Sequence, residues 1–119
     1  MPVKTGDGRW ANNERLEFLG DAILDAVVGA YLYDRYPKKH EGFLTSTRAK
    51  IVQRESLNRI GKVFRLESHV RASTHSSSHN SYISGNAVEA LVGAIYLDRG
   101  YDACKDFIEK KIIADHLNL

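Results

Sequence analysis

The chain has 119 residues, 43% of them hydrophobic, which suits a single globular domain spanning 1–119, too small for two cores and too apolar to be disordered. Its net charge of +2 hides a block pattern: residues 1–43 hold six basic and seven acidic side chains, 44–72 hold seven and two, and 73–119 hold four and six. A lone cysteine, Cys104, excludes an internal disulfide and a Cys-rich zinc site, and the absence of any apolar run near the roughly 20 residues of a membrane helix argues against a membrane partner.

Met1 to Trp10 carries Lys4, Asp7 and Arg9 and no apolar stretch, so a secretory signal is not expected and a reducing, cytoplasmic setting is. Trp10 either contacts a ligand or staples the N-terminus to the core. From Asn12 to Tyr36 the pattern predicts one long helix, capped by Asn12 or Asn13 and stopped by Pro37. Thr45 is placed to cap a second helix running to about Val63, with Ala49, Val52, Leu57, Ile60 and Val63 on its apolar side. Ala72 to Ser84, rich in Ser, His, Thr and Asn, reads as a loop. His75 and His79 have the i, i+4 spacing of zinc ligands, but Ser76-Ser77-Ser78 between them opposes the helix that would present them. Helical character resumes from Asn86 to Asp98, ends at Gly100, and returns from Tyr101 to Ile113. Cys104 on that last helix suits packing better than nucleophilic chemistry. No strand with a period of two is found, and the predicted fold is all-α.

The first helix carries an acidic stripe. Glu14, Glu17, Asp21 and Asp25 fall within about 80° of one another on a helical wheel. A solvated face is the simpler account, with Glu14 and Glu17 also favoured by the positive end of the helix dipole. Against it stand the neighbours: Phe18, Leu24, Val28 and Tyr31 flank the stripe, and Leu16, Leu19, Ile23, Ala26, Val27 and Ala30 fill the far side. A helix apolar nearly all round is expected to be central and buried, and buried carboxylates must be paired or bind a cation.

Glu89 is three residues after Asn86. The two form a capping box if the helix begins there, or they share a face that joins the first stripe. In the second case two helices present Glu17, Asp21, Asn86 and Glu89 to one site, an all-oxygen set that suits Mg²⁺. Gly29 and Gly93 lie inside predicted helices, where each costs about 1 kcal/mol relative to Ala. Close helix–helix approach is the usual compensation, either within one subunit or across a dimer.

Asn13-Glu14-Arg15-Leu16-Glu17-Phe18-Leu19-Gly20-Asp21 resembles the signature of the ribonuclease III family. Glu41-Gly42-Phe43-Leu44-Thr45 with Arg48-Ala49 resembles the family's second block, and the run from Gly85 to Asp98, with Asn86, Glu89, Gly93 and Tyr96, resembles its third. The blocks stand in the family's order, and the resemblance covers about residues 12–113.

The resemblance implies an all-α, ribonuclease III-type endonuclease domain that forms a homodimer around its signature helix. It implies Mg²⁺-dependent cleavage of double-stranded RNA to 5′-phosphate and 3′-hydroxyl ends, with Mn²⁺ as a substitute ion. On it, Glu17, Asp21, Asn86 and Glu89 match metal-binding positions, and Asp21 and Glu89 the catalytic acids. Glu14 and Glu41 match acidic positions that handle substrate or contact the other subunit. The basic 44–72 segment would bind RNA phosphates, through Arg48, Lys50 and Arg54 among others. A-form RNA is read mainly by shape and 2′-hydroxyls.

Asn86 departs from the family pattern, which usually has Asp there. An amide oxygen still ligates Mg²⁺ but brings no charge, so an active enzyme with a greater Mg²⁺ requirement is expected. The competing expectation is a catalytically weak or inactive relative acting as an RNA-binding or ribosome-associated scaffold. Two segments usual in the family, a helix before the signature block and a double-stranded-RNA-binding domain after Leu119, are not among the 119 residues. Reduced stability is expected without the first, and weak, strongly salt-dependent RNA binding without the second.

Overall fold

A computed structural model describes residues 3–4, 10–11, 13–63 and 80–117. Two-residue strands β1 (Val3–Lys4) and β2 (Trp10–Ala11) pair antiparallel, with Val3 opposite Ala11 and Lys4 opposite Trp10. This short ribbon corrects the expectation that no strand occurs. Two residues a side are too few to show a period of two. Everything else described is helix or connecting turn, and the fold is all-α.

Helix α1 (Asn13–Arg35) ends one residue before its predicted limit, as Pro37 requires, since the residue before a proline avoids helical geometry. The turn that follows is closed by a Tyr36 amide bond to the Leu32 carbonyl (3.0 Å) and by edge-on packing of Tyr36 against Phe43, centroids 5.1 Å apart. Helix α2 (Glu41–Val52) and helix α3 (Arg54–Val63) replace the single helix predicted from Thr45. Between them Gln53 adopts an extended backbone (φ −64°, ψ 158°). The break is held by tertiary bonds rather than by a Gly or Pro. The buried Ser56 hydroxyl donates to the Lys50 carbonyl at 2.9 Å, one of the acceptors that the end of α2 leaves without a helical partner. The break also resets the helical phase, so Ile51, Leu57 and Ile60 are buried while Ala49 is exposed.

Helix α4 (Asn80–Arg99) starts six residues before the predicted Asn86. Asn80 to Ser84, read as loop, is helical, and Asn86 sits inside the helix rather than capping it. Just after this polar stretch α3 holds α4 directly: the Gly85 amide donates to Asn58 Oδ1 at 2.8 Å. Helix α5 (Tyr101–Ile108) follows Gly100, whose φ of 88° favours glycine. It continues through a π-helical turn, Glu109–Ile113, into α6 (Ala114–Leu117). An exposed Arg59–Asp115 ion pair (3.1 Å) ties that end to α3.

The core gathers Leu24, Val27, Val28 and Leu32 of α1, Val88 and Val92 of α4, Cys104 and Ile108 of α5, and Ile112 and Ile113 of the π turn. Cys104 is fully buried, and its thiol donates to the Val92 carbonyl at 3.3 Å. Burial pushes the thiol's pKa up, which makes it inert and bears out the packing role. The prediction of an α1 buried all round is corrected. Phe18, Ala22, Ala26 and Ala30, four residues apart in turn, are exposed along one face, Phe18 by 79%. The loop assigned to residues 72–79, His75 and His79 within it, the Asn12 cap and the Trp10 side chain lie outside the described residues.

Candidate active site

Helices α1 and α4 cross with their backbones in contact. A Cβ on Gly20 would stand 1.7 Å from the Glu89 carbonyl oxygen, and one on Gly93 would stand 2.4 Å from the Leu16 carbonyl oxygen. Only glycine fits at either place. Gly93 therefore has the close approach expected of it, and has it within one chain. Gly29 meets only the Arg48 guanidinium, 3.3 Å from its would-be Cβ. Gly20, the other half of the crossing, was legible only as an unexplained glycine inside a helical block.

The crossing sets the exposed Asp21 beside the half-buried Glu89. Their carboxyls share a hydrogen bond, and the Glu89 carboxyl is pushed up to about 7 by its burial, then by the negative charge of Asp21. Glu17, one turn before Asp21, is also raised, by burial and by Glu14 beside it, and it adds to the rise at Glu89. The Arg54 guanidinium at the start of α3 opposes both rises and donates to Asn86 Oδ1. Glu17, Asp21, Asn86, Glu89 and Arg54 thus form one interacting cluster fed by three helices.

The other predicted site residues are placed differently. Glu14, in the first turn of α1, is exposed at the edge of the cluster and reaches it through Glu17. Glu41 and Lys50 are exposed on α2 and take no part in the interactions just described. Arg48 is half-buried with its guanidinium against Gly29. Arg54, read from the sequence as a phosphate contact, faces the acidic cluster; the break at Gln53 aims it there, and no local pattern announces that break.

Among the described residues no three His, Cys, Asp or Glu side chains converge tightly enough to hold a metal ion unaided. The donor set still suits a hard cation. Mg²⁺ is usually held by one or two carboxylates and keeps several waters rather than filling a protein cage. Two hydrogen-bonded carboxyls, a third within electrostatic reach and an amide oxygen offer that kind of open, all-oxygen site. Among the described residues no helix is long and apolar enough to cross a membrane.

A family model described as ribonuclease-III-like matches residues 5–116. Ribonuclease 3 of Phocaeicola vulgatus is 60% identical over 119 residues, all of this chain and 39% of that protein. Ribonuclease 3 of Bacteroides fragilis is 58% identical over 117 residues, 98% of this chain and 40% of its own length. This chain thus spans about two fifths of the length of these curated relatives. A solved nuclease domain of ribonuclease III from Campylobacter jejuni, described for flexibility in the region involved in its dimer formation, superposes with a TM-score of 0.81 at 37% identity. The match covers 91% of this chain and 78% of that one.

Proposed function

The chain belongs to the ribonuclease-III-like family, and from that premise we propose that it is the catalytic domain of a homodimeric, Mg²⁺-dependent endonuclease that cuts double-stranded RNA in the cytoplasm. The observation that carries this reading is the Asp21–Glu89 pair, set side by side by the α1–α4 crossing with Glu17 in electrostatic reach.

Asp21 and Glu89 would hold the cation, with Asn86 and Glu17 as the further oxygen donors; Mn²⁺ fits the same set. When bound, the ion supplies Lewis-acid stabilisation of charge developing on the scissile phosphate and makes a water more acidic. Glu89 can hold the cation only when ionised, so the proton its carboxyl keeps up to about pH 7 must leave as metal binds. Arg54 and Lys50 from exposed positions, and Arg48 from a half-buried one, are the candidate contacts to RNA phosphates. Hydrolysis leaves 5′-phosphate and 3′-hydroxyl ends. The exposed Phe18, Ala22, Ala26 and Ala30 face of α1 supplies an apolar surface for the second copy.

Cleavage of an end-labelled RNA duplex across a Mg²⁺ titration tests the proposal. The wild-type chain is expected to cut, Asn86→Asp to cut at lower Mg²⁺, and Glu89→Gln to lose at least about a hundredfold in rate. A folded dimer that binds duplex but never cuts, at any Mg²⁺ concentration, overturns it in favour of the scaffold.

A further inference from the structure

Helix α3 grips α4 at two points one helical turn apart. Asn58 Oδ1 accepts the Gly85 amide proton at 2.8 Å, and Arg54, four residues earlier on the same face, donates to Asn86 Oδ1. Gly85 makes room for both. A Cβ there would stand 2.6 Å from Asn58 Oδ1 and 3.4 Å from Arg54 Cδ. The aliphatic stem of Arg54 therefore runs beside the α4 backbone before its guanidinium reaches Asn86. Arg54 is exposed and Asn86 half-buried, so the contact lies at the mouth of the cleft.

The oxygen that Arg54 holds is the one Asn86 would offer a cation. Asn86 has a single side-chain oxygen. An aspartate would have a second oxygen and a negative charge of its own. We propose that Arg54 is a positioning residue that competes with the divalent ion for Asn86, so that metal entry displaces the guanidinium from Oδ1. The inference rests on the metal-dependent reading above and adds to it a device in the chain itself that sets its metal requirement. Two charges of the same sign cannot share one amide oxygen without cost, and the fixed path along Gly85 keeps the guanidinium close.

The test is direct Mn²⁺ binding to the 119-residue chain without RNA, followed by the electron paramagnetic resonance signal of free Mn²⁺, with thermal melts run in parallel. Arg54→Gln is expected to bind Mn²⁺ about threefold or more tightly than wild type, the scale of an exposed charge–charge contact, and to gain more melting temperature on Mn²⁺ addition. In an Asn86→Ala background the same Arg54→Gln change is expected to leave affinity nearly unaltered, because the contested oxygen is gone. If wild type binds and Arg54→Gln binds no tighter, the competition is overturned while the metal reading stands. A gain that persists in full without Asn86 overturns it equally, since diffuse charge would then explain the effect. If no variant binds Mn²⁺, the competition and the metal reading fall together.

Discussion

Gly20 and Gly93 let α1 and α4 touch backbone to backbone, with the Gly93 nitrogen 3.1 Å from the place a Cβ on Gly20 would occupy. That contact brings Asp21 and Glu89 into hydrogen-bonding range, so the chemistry of the cluster depends on two residues that have none of their own. Alanine at either glycine gains up to about 1 kcal/mol of helix propensity. It must also push apart rigid backbone, and overpacking of that kind costs about 1–3 kcal/mol or more. Both Gly20→Ala and Gly93→Ala are expected to be net destabilising in urea unfolding and to abolish cleavage. Gly42, with nothing within 4 Å of its would-be Cβ, is the control: Gly42→Ala should gain about 0.5 kcal/mol. Equal tolerance at all three positions would refute the crossing.

A second prediction concerns the break between α2 and α3. Ser56 is 2% exposed, and its hydroxyl bond to the Lys50 carbonyl spans the extended Gln53. Ser56→Ala leaves that carbonyl short of a partner, at an expected cost of about 1 kcal/mol. Chemical denaturation measures it. No loss of stability would show that the break is held by packing of Ile51 and Leu57 alone.

Helix α1 was legible almost to the residue because Pro37 ends it and its acidic stripe is periodic. The α2–α3 break was not, since Gln53 is an ordinary helix residue and its extended geometry comes from Ser56 and the core. The capping box at Asn86 and Glu89 was a fair local reading that packing overruled. The helix begins six residues earlier, at Asn80, which moves both side chains from a helix end to a helix face. Phe18 looked like core because apolar residues surround it in sequence; in the folded chain it stands 79% exposed.

That exposure carries the third prediction. In the proposed homodimer a twofold contact would bury the α1 face of each copy, so Phe18 would count twice. Burying one Phe contributes about 1.5–3 kcal/mol, and Phe18→Asp should therefore weaken a dimer at least about a hundredfold. Its circular dichroism should not change, because the side chain packs little in the monomer. Sedimentation equilibrium decides the matter. An unchanged association state would move the dimer contact off α1.

The last prediction follows from the Glu89 carboxyl, raised from an ordinary 4.5 to about 7 by burial first and Asp21 second. The folded chain holds that proton more tightly than the unfolded chain does, so between these values unfolding releases it. Stability from this group is full below about 4.5 and is lost as pH rises through 7. Glu17 is shifted in the same direction, also by burial first, and adds to the slope. Melts in EDTA are expected to give a higher midpoint at pH 5 than at pH 8, with the difference reduced in Glu89→Gln. A cation requires the ionised carboxyl, so the linkage reverses when metal is present: apparent Mn²⁺ affinity should fall by up to about tenfold per pH unit below 7 and level off above it. Glu89→Gln should bind weakly and lose most of that pH dependence. A wild-type affinity that stays flat from pH 6 to 8 would mean that Glu89 is already ionised in the folded chain, and that Asp21 does not share its proton.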